Sequence, residues 1–421
     1  MTASQNQRQQ SDYSRIHFFT RALRKNVCTL LLCAAGLVAG CQQPVITKPV
    51  ELPAGSFTRK WIADLAIRGD AAESVYIRDE FLIVYTEDDM AYVMDRESGV
   101  LKWAKKVSNG GVALRPPVVL KDYIIFPTIS SLEVYDRQGK NHRSEPSKGM
   151  ALRSGCAGEG THLYYGSDDA NGGRVVSVDL SGSRYQSAST DETLQTRSGI
   201  SSTPAVHQGL LYAADDVGGV YGITSAKFKQ IWGIRHEGRE AGVFGTNGRV
   251  IADLKVDDYG LYVASMDTKL YCISRTEGRI RWQYFSGVPL THTPIITPTT
   301  VYQLVDTVGL VAIDKAKGPI NRAPKWTHKT AQSFLAEDEK YIYLMDADHS
   351  IVACDKSTGE SKFKSKRRDF VNFAIGSKNN VIYGVTRDGK VMAIVPVHKA
   401  GSFGELVATP VESADTLATA K

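Results

Sequence analysis

From residue 74 onward the chain alternates short apolar runs with small polar turns. Phe81-Leu-Ile-Val-Tyr85, Tyr123-Ile-Ile-Phe126, Leu210-Leu-Tyr212, Gly260-Leu-Tyr-Val263, Tyr341-Ile-Tyr-Leu344 and Val381-Ile-Tyr383 are such runs. Each is too short for a helix and rich in β-branched and aromatic residues, which predicts a strand. Turns such as Glu87-Asp88-Asp89 and Arg387-Asp388-Gly389 then lead into a second, alternating run, the chemistry of a tight hairpin. That second run closes on a recurring signature: Tyr92-Val-Met-Asp95, Gly99 and Trp103; Tyr271-Cys-Ile-Ser274, Gly278 and Trp282; Val352-Ala-Cys-Asp355, Gly359 and Phe363. Weaker copies occur at Leu132, Asp136 and Gly139, at Val176, Asp179 and Gly182, at Tyr221, Thr224 and Trp232, at Val311, Asp314 and Gly318, and at Met392 and Val395.

The residue that closes the alternating strand falls at positions 95, 136, 179, 224, 274, 314, 355 and 395, at intervals of 40 to 50 residues. Four short antiparallel strands at this period make one propeller blade, so the chain is expected to be all-β, an eight-bladed β-propeller. The eighth unit has no aromatic-bearing outer strand of its own after Val395. Phe57-Thr-Arg-Lys-Trp61 supplies one, with Trp61 in the place that Trp103 holds in the first unit. The ring would thus be closed by the N-terminal strand, which removes the edges a linear stack would expose.

Charge adds little to this picture. The formal net charge is +6, but Arg8, Arg15, Arg21, Arg24 and Lys25 against Asp12 put +4 of it in residues 1–40. The remainder, near +2, gives no electrostatic footprint for nucleic acid. A composition of 42% hydrophobic and 23% charged residues is that of a packed globular protein.

The first forty residues read as an export signal: Arg21, Arg24 and Lys25, an apolar run from Val27 to Ala35, then small residues. The stretch Leu37-Val-Ala-Gly-Cys41 resembles the lipobox of bacterial lipoproteins, which implies acylation of Cys41 and cleavage just before it. Gln42 in place of Asp implies sorting to the outer membrane. The expected organisation is a lipoprotein signal peptide at 1–40, a flexible Pro-containing tether at 41–54, the propeller at 55–397 and a disordered tail at 398–421.

The pattern Val93-Met-Asp95-Arg-Glu-Ser-Gly99-Val-Leu-Lys-Trp103 resembles the PQQ-like repeat of quinoprotein alcohol dehydrogenases and of the BamB family of outer-membrane assembly factors, over about residues 56–397. The resemblance implies structural work for the aromatics, with Trp61, Trp103, Trp232, Trp282 and Trp326 packed between neighbouring blades. Two functions share this architecture. A quinoprotein-like, PQQ-dependent dehydrogenase needs a vicinal disulfide against the quinone, and the chain has no Cys-Cys pair; Cys156, Cys272 and Cys354 fall in different blades and read as buried free thiols. The expected cofactor is therefore none.

The non-catalytic relatives imply a monomeric, lipid-anchored periplasmic scaffold that docks a protein partner, the barrel-assembly machinery, through rim loops. In them an Arg-bearing loop enters the fourth blade and an acidic loop enters the fifth. Leu194-Gln-Thr-Arg197 is similar to the first, whereas Asn247-Gly-Arg249-Val-Ile251 is basic or apolar where the family is acidic. Arg197 and Arg249 are the candidate partner-binding residues. The alternative is the dehydrogenase, or a propeller that binds a small molecule or sugar in its central funnel.

Other chemistry is missing from the sequence or weakly drawn. Asp168-Asp-Ala-Asn-Gly-Gly173 has calcium-loop residues but lacks the downstream Glu, and reads as a hairpin. The nine His show no metal-ligand spacing, and no nucleophile elbow or phosphate loop is present. The basic run at 362–368 reads as a solvated outer strand and exit loop, with anionic headgroups or an acidic partner as its functional reading.

Overall fold

The continuous apolar run of residues 81–86 is buried along its whole length, because each of its two faces meets a different sheet. Ile83 packs towards Ile124 and Phe126 of the next sheet, while Val84 packs towards Tyr383 and Val385 of the previous one. This repeats around the molecule. Eight hydrophobic clusters each lie between two consecutive four-stranded antiparallel sheets. Burying one large apolar side chain contributes roughly 1.5–3 kcal/mol, so the seams between sheets hold most of the stabilisation.

The computed structural model describes residues 56–108, 113–147, 151–169, 172–181, 193–233, 245–366, 370–376 and 380–397, and among these there is no helix. The chain divides into two units, Met1–Val50 and Glu51–Lys421. The first lies outside the described residues, as do the expected signal peptide, Cys41, the tether and the tail.

The architecture is an eight-bladed β-propeller. Blades 1 to 7 span residues 72–106, 118–146, 152–196, 205–233, 255–285, 295–328 and 331–366, each running in sequence from inner to outer strand. Blade 8 takes its inner three strands from 370–396 and its outer one from Phe57–Asp64. That strand pairs antiparallel with Lys390–Pro396, from Phe57 opposite Pro396 to Asp64 opposite Lys390. Antiparallel order sorts the connections onto two faces. First-to-second and third-to-fourth strand connections lie on one, the turn face. Second-to-third hairpins and blade-to-blade loops lie on the other, the loop face.

On the turn face the sequence signature becomes a joint. Asp95 accepts hydrogen bonds from the Ser98 amide at 2.9 Å and hydroxyl at 2.8 Å, which pins the turn, and the Gly99 amide donates to the Asp95 carbonyl at 2.8 Å. The next residue's carbonyl receives the indole of the preceding blade. Trp61 Nε1 donates to the Arg96 carbonyl at 3.1 Å, Trp103 to Arg137 at 3.1 Å, Trp232 to Arg275 at 2.7 Å, Trp282 to Lys315 at 2.9 Å and Trp326 to Lys356 at 3.0 Å. The ring then lies against the turn glycine. At Gly318, with φ +71°, an added Cβ would sit 2.6 Å from the Trp282 ring, so both the backbone conformation and the indole require glycine.

Two other seams use different chemistry. Between blades 2 and 3, Arg143 stands opposite Val134 as Trp103 stands opposite Val93, and its guanidinium donates to the Leu180 carbonyl at 2.6 Å. A long planar cation over Tyr123, at 5.3 Å, fills the place of an indole. Between blades 7 and 8, Phe363 packs on Phe57 with centroids 6.2 Å apart.

Candidate functional site

The loop face above blades 3, 4 and 5 carries the two arginines singled out in the sequence. Its scaffold is the second-to-third strand hairpin of blade 4. Asp215, fully buried, takes the Gly219 amide at 2.6 Å, the Val217 amide at 3.1 Å and the Tyr221 hydroxyl at 2.6 Å. Burial, and then the Asp215 charge beside it, raise the Tyr221 pKa, so its hydroxyl stays a donor. This clamp fixes the hairpin tip and leaves Val217 49% exposed. A β-branched side chain on a rigid tip offers apolar contact without much loss of rotamer freedom on binding.

Around the tip lies a charged network drawn from three blades. Arg153, from the inner strand of blade 3, pairs with Asp168 of its own blade and with Asp216 of blade 4 at 2.7 Å. Asp216 also accepts from the Ser201 hydroxyl at 2.9 Å, and Arg249 Nη2 stands 3.6 Å away. The loop that brings Arg249 is tied down by the Thr246 amide on the Gly218 carbonyl at 2.8 Å and the Asn247 amide on Asp267 at 3.0 Å. Arg197, in the loop entering blade 4, is exposed, and its amide donates to the Tyr221 hydroxyl at 3.3 Å. Arg197 and Arg249 therefore flank one hairpin and share its face. Leu194 lies within the outer strand Thr193–Thr196 of blade 3, not in the loop.

Val217, Asp216 and Arg153 were not found by sequence reasoning. The Asp215-Asp216 pair in a turn was the available signal, yet such pairs are common in turns, and nothing local ties Asp216 to Arg153.

Residues 168 and 169 pair with Gly173 and Gly172 in a hairpin. In the basic run, Lys362 pairs with Glu360 at 2.9 Å, and Lys364 reaches Asp346 at 2.7 Å and Asp348 at 3.0 Å, while Arg367 and Arg368 lie outside the described residues. Cys156, Cys272 and Cys354 are free and buried; burial pushes all three thiols up, Cys272 to about 12 and Cys354 to about 11. Among the described residues no cluster of three His, Cys, Asp or Glu could hold a metal ion. With no adjacent cysteines to form a vicinal disulfide, these residues do not fit a quinone and its calcium.

Eight four-stranded blades, with an indole docked on the turn glycine of the next blade at five seams, make this chain an eight-bladed β-propeller whose repeat resembles the PQQ-like one. It resembles BamB: residues 244–361, in blades 5 to 7, match the family described as "Outer membrane protein assembly factor BamB". BamB from Moraxella catarrhalis superposes with a TM-score of 0.59 at 15% identity, covering 81% of this chain and all of that one. The computationally designed Ika8 protein superposes with a TM-score of 0.57 at 14% identity, covering 78% of this chain and 98% of that one. At such identities the likeness speaks to the fold. No curated protein matches the chain in sequence.

Proposed function

We propose that the chain is a non-catalytic, monomeric scaffold, held at the periplasmic face of the outer membrane by a lipid on Cys41, that docks a subunit of the barrel-assembly machinery. The observation that carries this reading is the exposed Val217 tip between Arg197 and Arg249 on a clamped hairpin. An apolar centre with cationic flanks fits an acidic rim around an apolar anchor on the partner. The match of residues 244–361 to the BamB family supports the choice of partner, and the lipobox-like stretch ending in Cys41 supports the anchor. Arg249, where the family is acidic, requires the partner to carry the complementary charge at that point.

The test places a photo-crosslinking residue at position 217 in cells and identifies adducts by mass spectrometry. A barrel-assembly subunit is expected, and its yield should fall in Arg249→Glu. Adducts unchanged from those of a crosslinker on the turn face would overturn the docking surface. The anchor is tested separately by palmitate labelling, which Cys41→Ala should abolish.

A further inference from the structure

The centre of the ring holds a cavity of about 1420 Å³, lined by the inner strands of blades 1, 5, 6, 7 and 8. Four cationic side chains face it, and they divide into two kinds. Lys315 is paired with Asp257 at 2.9 Å, and Lys356 with Glu337 at 3.0 Å. Arg78 and Lys255 have no carboxylate within ion-pair distance among the described residues. They come from blades 1 and 5, four apart in a ring of eight, so they approach from opposite sides of the axis.

Arg78 is held in place by backbone. Its Nε donates to the Pro117 carbonyl at 2.7 Å and Nη1 to the Ile77 carbonyl at 2.9 Å, with the guanidinium 5.4 Å from the Tyr76 ring centroid. Nη2 has no partner among the described residues. The Lys255 ammonium makes no hydrogen bond or ion pair among them. Asp253, a cavity-lining acid whose charge acts on both cations, has one oxygen engaged by the Thr203 amide at 3.0 Å. Burial lowers the Lys255 pKa, Asp253 restores part of that, and Arg78 lowers it further. Lys255 is exposed to the cavity and Arg78 half-buried beside it, and two like charges confined in one cavity repel, a cost that a shared counter-ion removes.

We propose that Arg78 and Lys255 together bind the oxyanion group of a small ligand, a carboxylate or a phosphate, on the propeller axis. Arg78 offers a fixed donor and Lys255 a mobile point charge, a pairing that seats a tetrahedral or planar oxyanion between them. The cavity admits a molecule of metabolite size. This site is on the axis, and it stands whether or not the rim docks a partner.

Calorimetric titration of the protein with inorganic phosphate and with succinate, at ionic strength held constant by sodium chloride, tests it. Saturable binding of either is expected: phosphate alone identifies a phosphoryl ligand, and succinate alone identifies a carboxylate. Lys255→Gln should weaken that binding about tenfold or more, and Lys255→Arg should retain it to within a few fold. Thermal melting without ligand checks that both variants are folded. Arg78→Lys, which keeps the charge but loses the fixed donor, should fall between them. The anion should also protect Lys255 from acetylation, read by peptide mass. Failure of wild type to bind either anion by about 10 mM, or equal binding by Lys255→Gln, overturns the proposal.

Discussion

The two faces of the disc are built by different rules. On the turn face one device recurs: a pinned turn, a glycine with positive φ, and an indole from the preceding blade at five of the eight seams. On the loop face the blade-to-blade connections run from two residues between blades 6 and 7 to 21 between blades 4 and 5. The recurring joint ties neighbouring blades on one face, which leaves the connections of the other free to vary. Residues that vary freely in length and charge can be shaped to a partner without disturbing the core.

The sharpest way to break this comparison is to remove the strand Phe57–Asp64. Blade 8 would lose its outer strand, and the Gly99 turn its indole. Loss of the cooperative thermal transition of the whole disc is expected; a truncated protein melting like the intact one would mean the ring does not depend on closure. Next in size, Trp103→Ala empties a seat between Gly139 and Phe126 and should cost about 3–5 kcal/mol in denaturant unfolding.

Acid should loosen the joints of the turn face. Hydrogen bonds from Ser98 hold the Asp95 carboxyl below its usual range, and hydrogen bonds from Ser357 do the same for Asp355. With folded pKa values below the unfolded ones, this stabilisation is complete above the ordinary carboxylate range. It is lost as pH falls through the depressed values. Asp95→Asn should therefore flatten the fall of melting temperature with acid, whereas an unchanged slope would remove these turns as its source. The smallest effect on stability belongs to the rim. Val217→Asp should shift unfolding by no more than about 0.5 kcal/mol while abolishing co-purification of the docked subunit. A cost as large as that of Trp103→Ala would erase the distinction between the faces.

What was legible in the sequence follows the same division. The repeat interval, the closing strand and the five indoles could be read because each is local and recurs. Arg143 could not, because a cation standing in for an indole breaks the pattern that would reveal it. Arg197 and Arg249 were legible only through their loops. Val217 depends on the clamp beneath it, and Arg78 and Lys255 meet only because the ring brings opposite blades together. Adjacency across an axis leaves no periodicity in a chain.

The closing strand also sets an order of events. Its sheet partner, Lys390–Pro396, is the last described strand, so the pairing most distant in sequence is the one that completes the disc. The entropy of joining ends grows only with the logarithm of the separation, so this costs the finished protein little. The search for it is slow, however, because long-range strand pairing governs folding speed. During that delay a three-stranded blade 8 offers an open edge to any passing strand. A circular permutant that joins the two ends and opens the chain between blades 6 and 7 should refold faster and aggregate less. Equal rates would show that some other step sets the pace.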